Sequence, residues 1–136
     1  VVDKVRSALN AGKKSVNGAG ILVLGMAYKK DVNDVRESPA LDIVRILVAD
    51  GAHVDYHDPF VPVVSEGGTS LYSVPLTDEA LAQADAVVIV TDHSDVDYGR
   101  VLELADVVVD ARHVTAPMLD VAGVRTGSWI VKGGTN

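Results

Sequence analysis

Between Gly25 and Pro39 the chain carries three cations, Lys29, Lys30 and Arg36, in a stretch that separates a short apolar run from a segment with helical periodicity. Arg36 offers a planar fork matched to phosphate or carboxylate, while the two lysines act as mobile point charges. Unpaired N–H groups at the start of a helix, together with the positive end of its macrodipole, favour an anion at the same place. The chemistry that suits this combination is the binding of a diphosphate. Ordinary solvated loop charges, paired with Asp31, Asp34 and Glu37, would use the same residues, and spacing alone leaves that account open.

Periodicity supplies the elements that must hold such a loop. Ile21–Leu24 is a short apolar run ending in Gly25, and apolar residues recur at Leu41, Val44, Leu47 and Val48, so a strand leads through the loop into a helix. Ser38 suits the N-cap, Pro39 the first turn, and Gly51 the left-handed position after the last turn. Val1, Val5 and Leu9 mark a short N-terminal helix, and residues 10–18 a polar linker. Further strands are expected at His53–His57, Ala86–Val90 and Val107–Val109, with a weaker extended piece at Ser70–Val74 and a last strand within Val124–Val131. Thr77 caps a helix running to Ala82, and Tyr98–Ala105 forms another. Alternating β and α segments with β-branched strands imply an α/β fold: a three-layer, Rossmann-like, open and mostly parallel sheet with helices on both faces.

In such sheets ligands sit beyond the carboxyl ends of the strands. The residues expected there are Tyr28 to Arg36, Asp58, Thr91-Asp92-His93 and Asp110-Ala111-Arg112-His113. Arg112 lies just past a strand end, in position to join Lys29 on one ligand; an exposed or Asp-paired arginine would have the same spacing. Asp58 follows the second strand, where an acid in dinucleotide folds bonds a ribose, but an aspartate before proline also suits a turn. A loop-capping role suits Asp92-His93, since no Ser or Cys stands in a nucleophile elbow. His53 and His57, four apart on a strand, are too far apart to chelate easily, so no metal site is expected. Gly18-Ala19-Gly20 precedes the first strand, and the full Gly-x-Gly-x-x-Gly is missing after it, so the nicotinamide-binding signature is absent here.

Composition narrows the classes. With 136 residues, 48% hydrophobic and 23% charged, the chain is expected to form one soluble domain with a proper core. A net charge of −7 argues against nucleic acid as partner. Seven of the twelve Lys/Arg nevertheless fall within residues 1–36, so the cations are expected to gather near the loop. No apolar run reaches membrane-spanning length and no leader is visible, which makes the cytoplasm the expected location. With no Cys, the chain holds neither a disulfide nor a thiolate nucleophile. It begins with Val1 instead of Met, as a piece of a longer protein would.

The blocks Val23–Leu41, Gly51–Pro59 with Val61-Pro62, Thr91-Asp92-His93 and Val109–Arg112 occur in order over nearly the whole chain, and together they resemble the C-terminal domain of the UDP-glucose/GDP-mannose dehydrogenase family. The Ala27-Tyr-Lys-Lys-Asp-Val32 form is most similar to bacterial UDP-N-acetylglucosamine or UDP-N-acetylmannosamine 6-dehydrogenases. The resemblance implies a twofold oxidation of a sugar C6 alcohol to a carboxylate with NAD as acceptor, through a cysteine-bound thiohemiacetal and thioester. It implies that residues 1–18 end a central-domain helix and its linker, and that residues 19–136 are the UDP-sugar-binding domain. Nicotinamide fingerprint and cysteine would then belong to N-terminal and central domains of the same polypeptide, in a homo-oligomeric enzyme, and this chain would not catalyse the reaction alone. Carried over by position, Tyr28, Lys29 and Arg112 are implied to contact the UDP-sugar, and Arg36 the NAD. One departure is local: Asp110-Ala-Arg-His113 stands where the family more often has Asp-Thr-Arg-Asn, which bears on sugar preference.

Two other classes share parts of this pattern. A stand-alone nucleotide-sensing domain would need the same cationic loop, and a receiver-like signalling domain would share the layered fold. A receiver, however, clusters acids after its first strand, where this chain has Tyr28, Lys29 and Lys30.

Overall fold

The computed structural model describes residues 1–27, 38–66, 69–112, 115 and 130–131. In chain order the elements are α1 (Val2–Ala11), β1 (Gly20–Leu24), α2 (Pro39–Ala49), β2 (His53–His57), β3 (Val63–Glu66), β4 (Thr69–Tyr72), α3 (Asp78–Gln83), β5 (Ala86–Ile89), α4 (Tyr98–Leu104), β6 (Val107–Asp110) and β7 (Ile130–Val131). The main sheet has the order β2-β1-β5-β6-β7, parallel except for β7, which lies antiparallel on β6.

Because successive strand residues point to opposite faces, the sheet separates its apolar residues into two cores. Ile21, Val23, Ala86, Val88 and Val109 pack with Val5 and Leu9 of α1 and Ile43, Val44 and Leu47 of α2. Leu22, Leu24, Val87, Ile89 and Val108 pack with Leu81 of α3 and Tyr98 and Val101 of α4. A strand covered on both faces needs a continuous apolar run, which is why β1 and β5 carry no alternation. This is the three-layer α/β arrangement expected from the sequence.

Local signals set the element ends. The Ser38 hydroxyl accepts from Ala40 N at the start of α2, the Thr77 hydroxyl from Ala80 N at α3, and the Asp97 carboxylate from Arg100 N at α4. Gly51, at φ +96°, ends α2 in the left-handed region. Two expectations change. Val48 does not join the buried stripe of α2, which runs through Ala40, Ile43, Val44 and Leu47 and leaves Val48 about half exposed. In addition, β3, which the sequence does not announce, pairs antiparallel with β4 as a separate ribbon. Only the last two residues of the expected final strand, Ile130 and Val131, lie among those described.

The chain order of the sheet fixes where a ligand can approach. From β1 the chain crosses on the α2 face to β2, whereas from β5 it crosses on the α4 face to β6, on the other side of the sheet. The direction of winding reverses between β1 and β5, and it is at the carboxyl ends beside such a switch point that open α/β sheets bind their ligands.

Candidate functional site

At that switch point the exits of β1 and β5 touch. Gly25 has φ +95°, and a Cβ placed on it would lie 2.4 Å from Thr91 Cβ and 2.6 Å from both Thr91 N and Thr91 O. Only glycine satisfies both the backbone angle and this approach. Beyond it, Met26 and Ala27 are fully buried.

The turn they form is held by groups from three other segments. Asp58, just past β2, accepts at Oδ2 from Met26 N (2.7 Å) and Ala27 N (2.9 Å). The same oxygen accepts from His93 Nε2 at 2.8 Å, and Oδ1 accepts from Phe60 N at 2.7 Å. Thr91 Oγ1 donates to the Ala27 carbonyl at 2.6 Å, and the Ser38 hydroxyl donates to the same carbonyl at 3.5 Å. Residues 28–37 therefore leave the described structure at Ala27 and re-enter it at Ser38, two residues joined to each other.

Asp58 and His93 are both about 1% exposed. Burial by itself would raise the Asp58 carboxyl, but the hydrogen bonds from Met26, His93, Phe60 and Ala27 outweigh it and hold the group below the ordinary carboxylate range. An ionised carboxylate only accepts, so the imidazole carries its proton on Nε2. The Phe60 ring covers the imidazole with centroids 4.9 Å apart, and the Tyr98 hydroxyl donates to the His93 carbonyl at 3.2 Å. Behind the pair, Tyr56 donates its hydroxyl to the Val61 carbonyl at 2.8 Å, and burial with the nearby Asp58 charge pushes that phenol up to about 12.

These contacts revise what the sequence suggests for two residues. Asp58 does make the turn expected before Pro59, through Phe60 N, but it has no capacity left for a ribose. His93 is a buried partner of that carboxylate. Both fell within the candidate strand-end group, and the sequence missed their pairing, because 35 residues separate them. The signal that could have found it is positional: Asp58-Pro59 directly follows β2, and Asp92-His93 lies a few residues past β5, the two strands that flank β1.

Arg112 lies two residues past β6, as expected. Its backbone N donates to Asp110 Oδ1 at 3.0 Å, and its half-exposed side chain places Nε 3.5 Å from Asp92 Oδ1. That oxygen is buried and receives no hydrogen bond. Asp110 is further occupied by Thr115, whose N and Oγ1 donate to Oδ2 at 2.8 and 2.6 Å. Tyr28, Lys29, Lys30, Arg36 and His113 lie outside the described residues.

Other cations expected near the loop stand elsewhere. Lys14 pairs with Asp85 at 2.8 Å, and Asp85 also accepts from Gly20 N at the amino end of β1. Arg6 pairs with Asp50 just past the end of α2. Closeness in sequence to the loop therefore did not mean closeness in space. Among the described residues no group of three or more His, Asp or Glu is arranged to hold a metal ion, and no helix is long and apolar enough to cross a membrane.

A dinucleotide does not fit the β1 turn in the fingerprint manner. There the N–H groups after the first strand face a pyrophosphate; here those of Met26 and Ala27 are already bonded to Asp58, and Thr91 fills the space beside Gly25.

An α/β sheet with a switch point between β1 and β5 and polar residues at its carboxyl ends defines the ligand-binding class of doubly wound domains. Residues 22–117 match the model of the UDP-glucose/GDP-mannose dehydrogenase family, UDP binding domain, and the chain belongs to that family. It is 38% identical over 104 residues to UDP-glucose 6-dehydrogenase TuaD of Bacillus subtilis, a match covering 71% of this chain and 20% of that protein. Among solved structures it is similar to a UDP-D-ManNAc dehydrogenase from Pyrococcus horikoshii, with TM-score 0.62, 29% identity, 79% of this chain and 25% of the other. A UDP-glucose dehydrogenase from Pyrobaculum islandicum gives TM-score 0.62 and 28% identity over 83% of this chain and 26% of that one. The chain thus spans about a fifth of the length of the TuaD protein.

Proposed function

We propose that this chain is the nucleotide-sugar-binding, C-terminal domain of an NAD-dependent UDP-sugar 6-dehydrogenase, which oxidises the C6 alcohol of a UDP-sugar to a carboxylate and is not catalytic by this domain alone. The observation that carries the reading is the coincidence of the family match with the switch point: residues 22–117 include the β1 exit, the return at Ser38, the β5 exit and Arg112. Tyr28, Lys29 and Arg112 contact the UDP-sugar, and Arg36 reaches the NAD. A guanidinium and an ammonium suit a diphosphate, because charge-assisted bonds to phosphate oxygens are stronger than neutral ones. The poor fit of a dinucleotide to the β1 turn supports NAD being held mainly by another domain.

Residues 1–18 belong in this reading to the end of a central helix and its linker, although α1 packs its Val5 and Leu9 into the core of residues 19–136. The remaining domains supply the nicotinamide fingerprint and the nucleophilic cysteine, the enzyme is a homo-oligomer, and it works in the cytoplasm. The test is an oxidation assay on the full-length polypeptide with NAD and a panel of UDP-sugars. Formation of two NADH per sugar with a UDP-hexose or UDP-N-acetylhexosamine supports the assignment; no NADH with any UDP-sugar, while UDP still binds, would favour a nucleotide-sensing role.

A further inference from the structure

Strands β2 and β5 are not neighbours, since β1 lies between them. With neighbouring strands about 4.8 Å apart, residues at their ends are separated by roughly twice that distance. The Asp58–His93 bond of 2.8 Å therefore reaches over the end of β1, and the carboxylate oxygen that meets the imidazole also grips Met26 N and Ala27 N below it. Three strand exits are joined at one buried atom, Asp58 Oδ2.

We propose that Asp58 and His93 are positioning residues for the nucleotide site, a clasp that fixes the backbone at Met26 and Ala27 and the Thr91–His93 segment beside it. On one side the clasp sets Ala27, from which the chain passes to Tyr28 and Lys29. On the other it sets the Thr91–His93 segment, in which Asp92 stands 3.5 Å from the Arg112 guanidinium. Both are about 1% exposed, so they act through the backbone they hold. A core that needed only to be filled would be served by apolar side chains here, because burying a charge is costly unless several donors compensate it. The four donors on Asp58 instead dictate the direction of the backbone that leads into the loop. The inference rests on the nucleotide reading above and extends it to two residues outside the ligand-contacting set.

The 136-residue chain tests this as wild type, His93→Ala, His93→Gln and Asp58→Asn, at a temperature where circular dichroism shows each folded. Two quantities are measured: hydrogen exchange of the Met26 and Ala27 amides by NMR, and the Kd for UDP by calorimetry. In His93→Ala both amides are expected to exchange faster and the Kd to rise about tenfold, which corresponds to about 1.4 kcal/mol. Both return towards wild type in His93→Gln, whose amide N–H can replace the imidazole donor, while the Val88 amide inside β5 stays protected throughout. Asp58→Asn weakens UDP binding at least as much as His93→Ala. If His93→Ala melts earlier but keeps its amide protection and its UDP affinity within about twofold, the pair merely stabilises the core and the clasp is wrong. Absence of UDP binding by the wild type would overturn the nucleotide reading and the clasp's link to ligand binding, a result distinct from altered stability with binding intact.

Discussion

Replacing Asp58 by alanine tests the architecture of the site at its most connected point. The substitution leaves Met26 N, Ala27 N, Phe60 N and His93 Nε2 without their acceptor, in a place where the carboxylate is about 1% exposed. Each stranded buried donor costs about 1–3 kcal/mol. Taking the low end for all four gives a loss of about 4 kcal/mol, a large share of the 5–15 kcal/mol typical of a domain. With a urea m-value of about 2 kcal/mol/M, the unfolding midpoint falls by roughly 2 M. Asp58→Asn keeps the volume and one acceptor oxygen but turns an N–H pair towards donors, so its loss is expected to lie between wild type and alanine. Urea unfolding followed by circular dichroism reads both. A loss under about 1 kcal/mol in Asp58→Ala, with an unchanged m-value, would refute the claim that these donors depend on one carboxylate.

Gly25→Ala places a methyl group against Thr91 backbone atoms at 2.6 Å in a left-handed conformation, and a loss of about 3 kcal/mol or more in urea unfolding is expected; a loss below 1 kcal/mol would contradict the close approach. Ser38→Ala removes the α2 N-cap and a donor to Ala27 O, lowering stability by about 1 kcal/mol, whereas Ser38→Thr keeps most of it. Asp58 is held below its ordinary range, so its contribution is complete above about pH 4, where the unfolded carboxyl is ionised, and is lost as pH falls through the lower folded value. Acid titration should therefore show wild type losing stability below about pH 4 more steeply than Asp58→Asn, and parallel curves would count against this assignment. Arg112→Ala is expected to weaken UDP binding about tenfold or more with little change in unfolding midpoint, and Arg112→Lys to recover part of it, since a point charge replaces a planar fork.

How much of this was legible beforehand follows the range of the interactions. The strands β1, β5 and β6 announce themselves through local apolar runs, β2 through the alternation of Val54 and Tyr56 before Asp58-Pro59, and the helices through caps such as Ser38, Thr77 and Gly51, all within a few residues of what they fix. The buried stripe of α2 lies one position from where periodicity puts it, because Val48 is apolar but turned outward, and packing into the core shared with the sheet and α1 decides the face. The β3–β4 ribbon was half missed, since short strands outside the main core lack its apolar signature. The Asp58–His93 pair was invisible as a pair, as strand order alone brings the exits of β2 and β5 together over β1. For the same reason the charge count misleads: Arg6 and Lys14 lie near the loop in sequence, yet they pair with Asp50 and Asp85, away from the carboxyl ends of the strands.

The central claim is that a UDP diphosphate binds at the carboxyl ends of β1, β5 and β6. Chemical-shift mapping of the uniformly labelled chain during UDP titration tests it most directly. Saturable shifts at Gly25–Ala27, Ser38, Thr91–His93 and Arg112, with Gly20, His53 and Asp85 at the amino ends unmoved, are the expected result. Shifts confined to that amino edge, or none at millimolar UDP, would contradict it.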